Sequence, residues 1–480
     1  MTRLARTVIA ALAALAVMVV TAGPRAGHAG GTEFLTERAI SRHIDRARYS
    51  GRLDAGRLDE LVARGAALFA AKFTVHDGAG RPMATQAIIP TKVARPRAQA
   101  FQRISGPDAN SCASCHNEPV DGGAGDFTVN VFVAEGFNNP DFDTTDQQFS
   151  NERNTNHLMG AGLVELLARE MTAELQHARA GALAESRRSG SPVRARLVTK
   201  GVDFGALTAL PDGFVELAEL DGVDDDLVVR PFSQKGVMTS LRQFTINALN
   251  HHHGIQASER FGARWTGEAD FDEDGHADEF SPGDISAMVA FQASLEPPVK
   301  RVPDDPGWRA AAGRGDGLFA AIGCASCHRP ALPLESLDFV DPGPSDAAGT
   351  LRRGEVDEPA IYDLALRDWA QTLPRDGDGD VLVPLYGDLK RHGMSDRQVA
   401  ALGNELLSQR FVERDVFQTT ELWGIGSTAP YGHRGDFTTL DDVIRAHGGE
   451  ARAAREAYIG LSDRDRGAVI AFLGTLVIAP

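Results

Sequence analysis

Cys112-Ala-Ser-Cys115-His116 and Cys324-Ala-Ser-Cys327-His328 are one pentapeptide written twice, and together they use all four cysteines of the 480-residue chain. Each is a C-x-x-C-H signature, the attachment pattern of a c-type haem, so the sequence predicts two covalently bound haems c. The spacing serves the chemistry. Two thiols three positions apart lie on adjacent faces of one helical turn and can form thioethers to both vinyl groups, while the next imidazole reaches the iron. His116 and His328 are therefore the expected proximal ligands. A redox-active thiol pair and a zinc site of four thiolates compete for the same cysteines. Neither requires a histidine after each pair, nor the same neighbours twice.

Outward from the motifs, the chain reads as one unit used twice. Gly313-Arg-Gly-Asp-Gly-Leu318-Phe319-Ala-Ala-Ile322 is a short amphipathic helix entering the second motif, and Gly65-Ala-Ala-Leu68-Phe69-Ala-Ala-Lys-Phe73 is its counterpart before the first. Downstream, His157-Leu-Met-Gly160-Ala-Gly162 matches Glu421-Leu-Trp423-Gly424-Ile-Gly426. Each unit then closes on a capped helix, Ser281-Pro-Gly-Asp284 to Leu295 and Ser462 to Leu476, with apolar residues at helical spacing. Pro297-Pro298 ends the first of these helices. The expected fold is mainly α: two cytochrome c-like haem domains in tandem, 31–298 and 299–480, with long loops. A small β insert is expected between Val193 and Val237, where apolar stretches alternate with Asp-Gly turns.

Arg3 and Arg6 precede an apolar run from Val8 to Val20 and a cleavage-like Gly27-His28-Ala29, so residues 1–29 read as a secretory signal peptide. The run is shorter than the roughly 20 residues of a membrane-spanning helix. Export to the periplasm follows, with no membrane span after the signal is removed. The chain carries a formal charge of −17, and losing the leader removes only bases. No basic stripe remains, which argues against nucleic acid or an anionic membrane surface as partner. A basic electron carrier suits an acidic protein.

Three further patterns draw attention. His251-His252-His253 follows an amphipathic stretch at its C-terminal end; the triplet either caps that helix or supplies His253 or His252 as a distal ligand or gate of the first haem. Asp270, Asp272, Asp274 and Glu279 space carboxylates like a calcium loop around Gly275, although Ser281 stands where the twelfth-position glutamate belongs. Calcium is thus a candidate cofactor, the alternative being a solvated acidic turn. Asp376-Gly-Asp378-Gly-Asp380 is a weaker version. Trp423 reads as core packing.

The run into Cys112, the stretch Leu385-Tyr-Gly-Asp388-Leu-Lys-Arg-His392-Gly-Met394, and Leu422-Trp423-Gly-Ile-Gly-Ser-Thr428-Ala-Pro430-Tyr431-Gly-His433-Arg-Gly resemble the di-haem oxidoreductases of peroxidase type. That family is similar to the bacterial di-haem cytochrome c peroxidases and to the di-haem enzyme that matures methylamine dehydrogenase. The resemblance covers nearly the whole chain after the leader. It implies that a small redox carrier, a cytochrome c or a cupredoxin, reduces the C-terminal haem, and that the N-terminal haem meets peroxide. It also implies a sixth ligand of the C-terminal haem downstream of His433, where counting lands on His447. The peroxidases carry methionine there; imidazole in its place stabilises ferric iron and lowers the potential. Met394 is the rival ligand, and a helix-capping histidine is the bland alternative. By the same resemblance Glu165 is the candidate acid and base for peroxide, against the plainer reading of a solvated helix glutamate. Calcium held by backbone oxygens would involve Thr428 and Pro430. Two other functions stay open: a non-catalytic electron-transfer cytochrome, and a haem-dependent oxygenase or protein-oxidising enzyme.

Overall fold

The computed structural model describes residues 37–87, 89–101, 103, 105, 109–133, 150–346 and 349–479; the expected leader, 1–29, lies outside them. Helix α1 (Ala55–Phe69) starts where Asp54 accepts the amide of Arg57, and it buries Leu58, Leu61, Gly65, Leu68 and Phe69 along one stripe. The long α2 (Ala161–Ser189) ends on left-handed Gly190. Helix α3 (Leu241–Ala248), capped by Ser240, runs on into a π-helical turn, Leu249–His253. Two short helices, α4 (Ser258–Phe261) and α5 (Ala263–Thr266), precede α6 (Pro282–Ala293). Ser281 and Asp284 form a capping box there with Pro282 in the first turn, the start that the sequence predicts. Helix α7 (Pro306–Ala321) begins on Asp305 and Pro306, and α8 (Leu440–Arg445), α9 (Arg452–Ile459) and α10 (Asp463–Leu473) close the chain.

The internal repeat takes physical form in two helix crossings, α1 on α6 and α7 on α10. A Cβ on Gly65 would stand 2.0 Å from the Ala287 carbonyl oxygen and 2.7 Å from Phe291 Cβ; on Gly315 it would stand 1.9 Å from the Ala468 carbonyl oxygen and 2.9 Å from Phe472 Cβ. Only glycine lets the backbones approach so closely. One turn on, Phe69 lies 5.1 Å from Phe291 and 6.2 Å from His116 between ring centroids. Phe319 repeats this, 5.3 Å from Phe472 and 6.4 Å from His328. Each crossing thus sets an aromatic ring against the histidine of its own motif.

The expectation of a mainly α fold is corrected by the structure, which is 37% helical and 18% strand with many small sheets. The expected insert is a three-stranded meander, Val193–Thr199, Val202–Ala209 and Val215–Leu220. Segments read as long loops pair as well: Gly125–Val133 with Ser150–Thr155, Leu332–Leu334 with Val381–Val383, and Arg391–Gly393 with Val416–Gln418. Many of these strands are too short to display an alternating pattern.

Arg38–Pro480 is one compact unit, and pairing ties early residues to late ones. Gly51–Arg52 runs parallel to Ala360–Ile361, and Val299–Lys300 pairs with Leu476–Val477. A buried ionic knot adds to this: Arg242 bonds Glu259 and Ser286, and holds Asp341 at 2.8 Å, while Tyr362 donates to the same Asp341 oxygen at 2.8 Å. Removing one member would strand the others' charge in the core, a loss of about 3–5 kcal/mol.

Candidate functional site

Both C-x-x-C-H motifs follow short helical turns, Cys112–Ser114 and Cys324–Ser326, in which the histidine amide returns to the first cysteine's carbonyl. They open into one cavity of about 1920 Å³ that touches all four cysteines, His116 and His328. Ordinary small-molecule pockets measure roughly 300–1,000 Å³, so the space is that of two large ligands. Burial pushes the Cys112 thiol up to about 12 and Cys324 up to about 11, which suits neither a redox-active nor a spontaneously ionised thiol. Nor do the four sulfurs converge as a zinc site among the described residues.

The imidazoles are prepared as ligands. Burial lowers His116 and His328 to about 4, so both rings are neutral, the form that binds iron. His328 directs Nδ1 to the Tyr386 carbonyl at 3.2 Å, and the His116 ring is met by the backbone of Asn156 and Gly123. His253, in the π-helical turn, donates Nδ1–H to the Ala109 carbonyl at 2.8 Å, and its Nε2 lies 3.5 Å from Cys112 Sγ. His447 does the same at the end of α8, Nδ1 to the Val443 carbonyl at 2.7 Å. An Nδ1–H held by a carbonyl leaves Nε2 as the coordinating atom. Met394 also lines the cavity, but a thioether has no such orienting bond. These donors fit two haems: paired thiols, a neutral imidazole behind each pair, and a second oriented imidazole on each side.

Glu165 sits elsewhere. One of its oxygens takes Arg169 at 3.0 and 2.5 Å, the other takes the Leu241 amide at 2.7 Å, and the carboxyl is absent from the cavity lining. It ties α2 to the start of α3. Trp423 is packing: a Cβ on Gly160 would stand 2.6 Å from its ring, and its carbonyl accepts His157 Nε2 at 2.9 Å. Thr428 and Pro430 reach the cavity, with the Pro430 carbonyl bonded by Asn154 at 2.8 Å. Asp376 spends one oxygen on the amides of Asp378, Gly379 and Asp380 in its own turn. Asp270, Asp272 and Asp274 do converge, with ligand oxygens within 4.8 Å of one another.

Two cavity groups, His392 and Glu421, were not singled out by the sequence reading. His392 bonds Asp388 at 3.0 Å and Glu450 at 2.7 Å; burial works against its charge, yet these carboxylates and Cys327 hold it up to about 11. Glu421 points a buried, unpartnered Oε1 at the same region, and burial pushes its carboxyl up to about 7. Its only sequence signal was the repeat, where it occupies the place of His157. The His252 ring meets the Ser105 hydroxyl at Nδ1, and burial holds it neutral, well below its usual value.

Residues 375–476 match the sequence model of the family described as "Di-haem oxidoreductase, putative peroxidase". The cytochrome-c peroxidase IdrP2 of Pseudomonas sp. (strain SCT) is 31% identical over 169 residues, which are 34% of this chain and 38% of that protein. The chain thus matches well under half of that relative. Among solved structures, Kuenenia stuttgartiensis hydrazine synthase superposes with a TM-score of 0.37 at 14% identity, covering 95% of this chain and 100% of that one. A MauG-like protein associated with microbial copper homeostasis superposes with a TM-score of 0.27 at 16% identity, covering 66% and 90%. The segment matched by the family carries His392, Met394, Glu421 and His447, one wall of the second motif's side of the cavity.

Proposed function

We propose that this chain, which belongs to the di-haem oxidoreductase family, works in the periplasm as a peroxidase-type enzyme that takes electrons from a small redox carrier and reduces a peroxide. One observation carries the reading: both C-x-x-C-H motifs face a single cavity, and each meets there a second imidazole whose Nδ1 is tied to a carbonyl. Cys112 and Cys115 would hold one haem and Cys324 and Cys327 the other, with His116 and His328 proximal, His253 and His447 distal. Bound there, haem iron supplies one-electron storage and the capacity to reduce an O–O bond.

The chain's residues supply position, dryness and protons. Phe232, Val237, Met238 and Phe244 line the cavity with apolar surface and limit water. His253 is freed only by breaking its bond to the Ala109 carbonyl, so the π-helical turn is the part that would gate access. With Glu165 engaged elsewhere, the Ser105–His252 pair is our assignment for the group that takes and returns a proton at Nδ1. The two haem domains, 31–298 and 299–480, are part of the same reading, with α1 and α6 closing one and α7 and α10 the other. No helix of the described residues is long and apolar enough to cross a membrane.

The test is peroxide-dependent oxidation of a reduced cytochrome c or cupredoxin by purified holoprotein carrying two haems c. Turnover that disappears in His116→Ala supports the enzyme. Two haems with no peroxide-dependent turnover would favour the second reading, an electron-transfer cytochrome, which the paired imidazoles on both sides also suit.

A further inference from the structure

The loop from Asp270 to Glu279 belongs to neither haem motif, yet it gathers carboxylates in a way the rest of the fold does not explain. Ligand oxygens of Asp270, Asp272 and Asp274 lie within 4.8 Å of one another. The backbone curls to hold them so: Asp270 accepts the amides of Asp274 at 3.1 Å and Gly275 at 3.0 Å, and Asp274 accepts that of His276 at 2.7 Å. Gly275 makes the turn at φ 94°. Asp272 stands apart from its neighbours. It is 0% exposed, and among the described residues neither of its carboxylate oxygens has a hydrogen-bond partner. The buried Arg81 acts on it only through space, and bonds Thr85 at 2.8 Å. A dry carboxylate with no donor, beside two more carboxylates, asks for a cation.

The same loop grips the chain that follows the histidine triplet. Glu279, beside Asp272, accepts the Gln256 amide at 2.6 Å, and the Ser258 amide donates to the Phe280 carbonyl at 3.0 Å. Gln256 in turn bonds Thr85 at 2.6 Å. Glu279 is itself wedged, since a Cβ on Gly78 would stand 2.3 Å from its Cγ. Only Gly254 and Ile255 separate this anchor from His253.

We propose that Asp270, Asp272 and Asp274 bind a calcium ion, and that the ion fixes the segment carrying His253. The second half rests on His253 being the distal ligand of the first haem. An all-oxygen set on alternate residues around a turn glycine suits calcium, whereas metals that favour nitrogen or sulfur find no such ligand among these three. Ser281 caps α6 instead of adding a bidentate carboxylate, which places affinity toward the weaker, extracellular range of about 0.1–1 mM.

Holoprotein stripped with a chelator is titrated with calcium chloride by calorimetry, beside Asp272→Asn, a near-isosteric change that relieves repulsion and so spares the fold. Hydrogen exchange at the Gln256 and Ser258 amides and the optical spectrum are read in the same states. The expected result is saturable calcium uptake at about 1 mM or below, lost in Asp272→Asn. Exchange at both amides slows at least tenfold with calcium, and part of the haem absorbance moves between high and low spin. Absent uptake, or equal uptake by Asp272→Asn, overturns the site; uptake with unchanged exchange overturns the clamp. His253→Ala separates the two readings. If it leaves the spectrum unchanged, the ligand assignment fails, while uptake and exchange still judge the calcium site.

Discussion

Arginines surround the histidines on the first motif's side, and carboxylates crowd the second. Arg81, Arg260 and Arg410 act on His251, and Arg103 on His253. Around His328 and His447 stand Asp388, Glu421 and Glu450, offset by the imidazolium of His392. In the proposed reading the same five residues would attach haem in both places, while the surrounding charge differentiates the two sites. Negative surroundings favour ferric iron. The second haem is therefore expected at the lower potential.

The most damaging way to probe the comparison is to attack what the two units share. Gly65→Ala and Gly315→Ala each force a Cβ into a backbone carbonyl across a helix crossing, and each should cost about 3 kcal/mol or more in thermal unfolding of the holoprotein. Ligand changes separate the units next. His447→Ala and His253→Ala should each turn about half of the low-spin haem absorbance high-spin, since one of two haems is touched. Met394→Leu should leave it intact; the opposite pattern would make Met394 the ligand of the second haem.

Smaller changes sharpen the electrostatic contrast. In a redox titration Glu421→Gln should raise the lower of two potentials by roughly 40 mV, about 1 kcal/mol of lost charge interaction, and leave the other within error. If the higher potential moves instead, the order of the two haems is reversed. The same residue gives a pH signature. Its carboxyl is pushed from an ordinary 4.5 up to about 7 by burial, so the folded state holds its proton longer than the unfolded chain. The stability linked to that proton is whole below pH 4.5 and disappears as pH rises through 7, on the order of 1–3 kcal/mol. Glu421→Gln should flatten that slope in denaturant titrations run from pH 4.5 to 7.5.

The proposed haem sites were legible because covalent attachment would demand fixed residue types at fixed spacing, a pattern that Cys112 to His116 and Cys324 to His328 display without help from the fold. The capped helices were legible for the same local reason, with Ser281, Pro282 and Asp284 acting within one turn. What escaped the sequence depends on distant partners. Glu165 looks like any helix glutamate until α3 arrives with the Leu241 amide. His392 is held as an imidazolium by Asp388, four residues before it, together with Glu450, which arrives from far along the chain. The small sheets were hidden because strands such as Leu332–Leu334 are recognised by the partner they meet, not by a pattern of their own.

The two copies of the post-motif turn pack on one another. A Cβ on Gly160 would strike Trp423 at 2.6 Å, and a Cβ on Gly424 would stand 3.0 Å from His157 Nε2. Each glycine of the repeat therefore makes room for a side chain from the other copy, and the halves of this duplication are not free to drift separately through evolution. Related sequences should change the 160–423 and 157–424 pairs together, and an ancestor with a single unit would have needed a second copy of itself to fill that place.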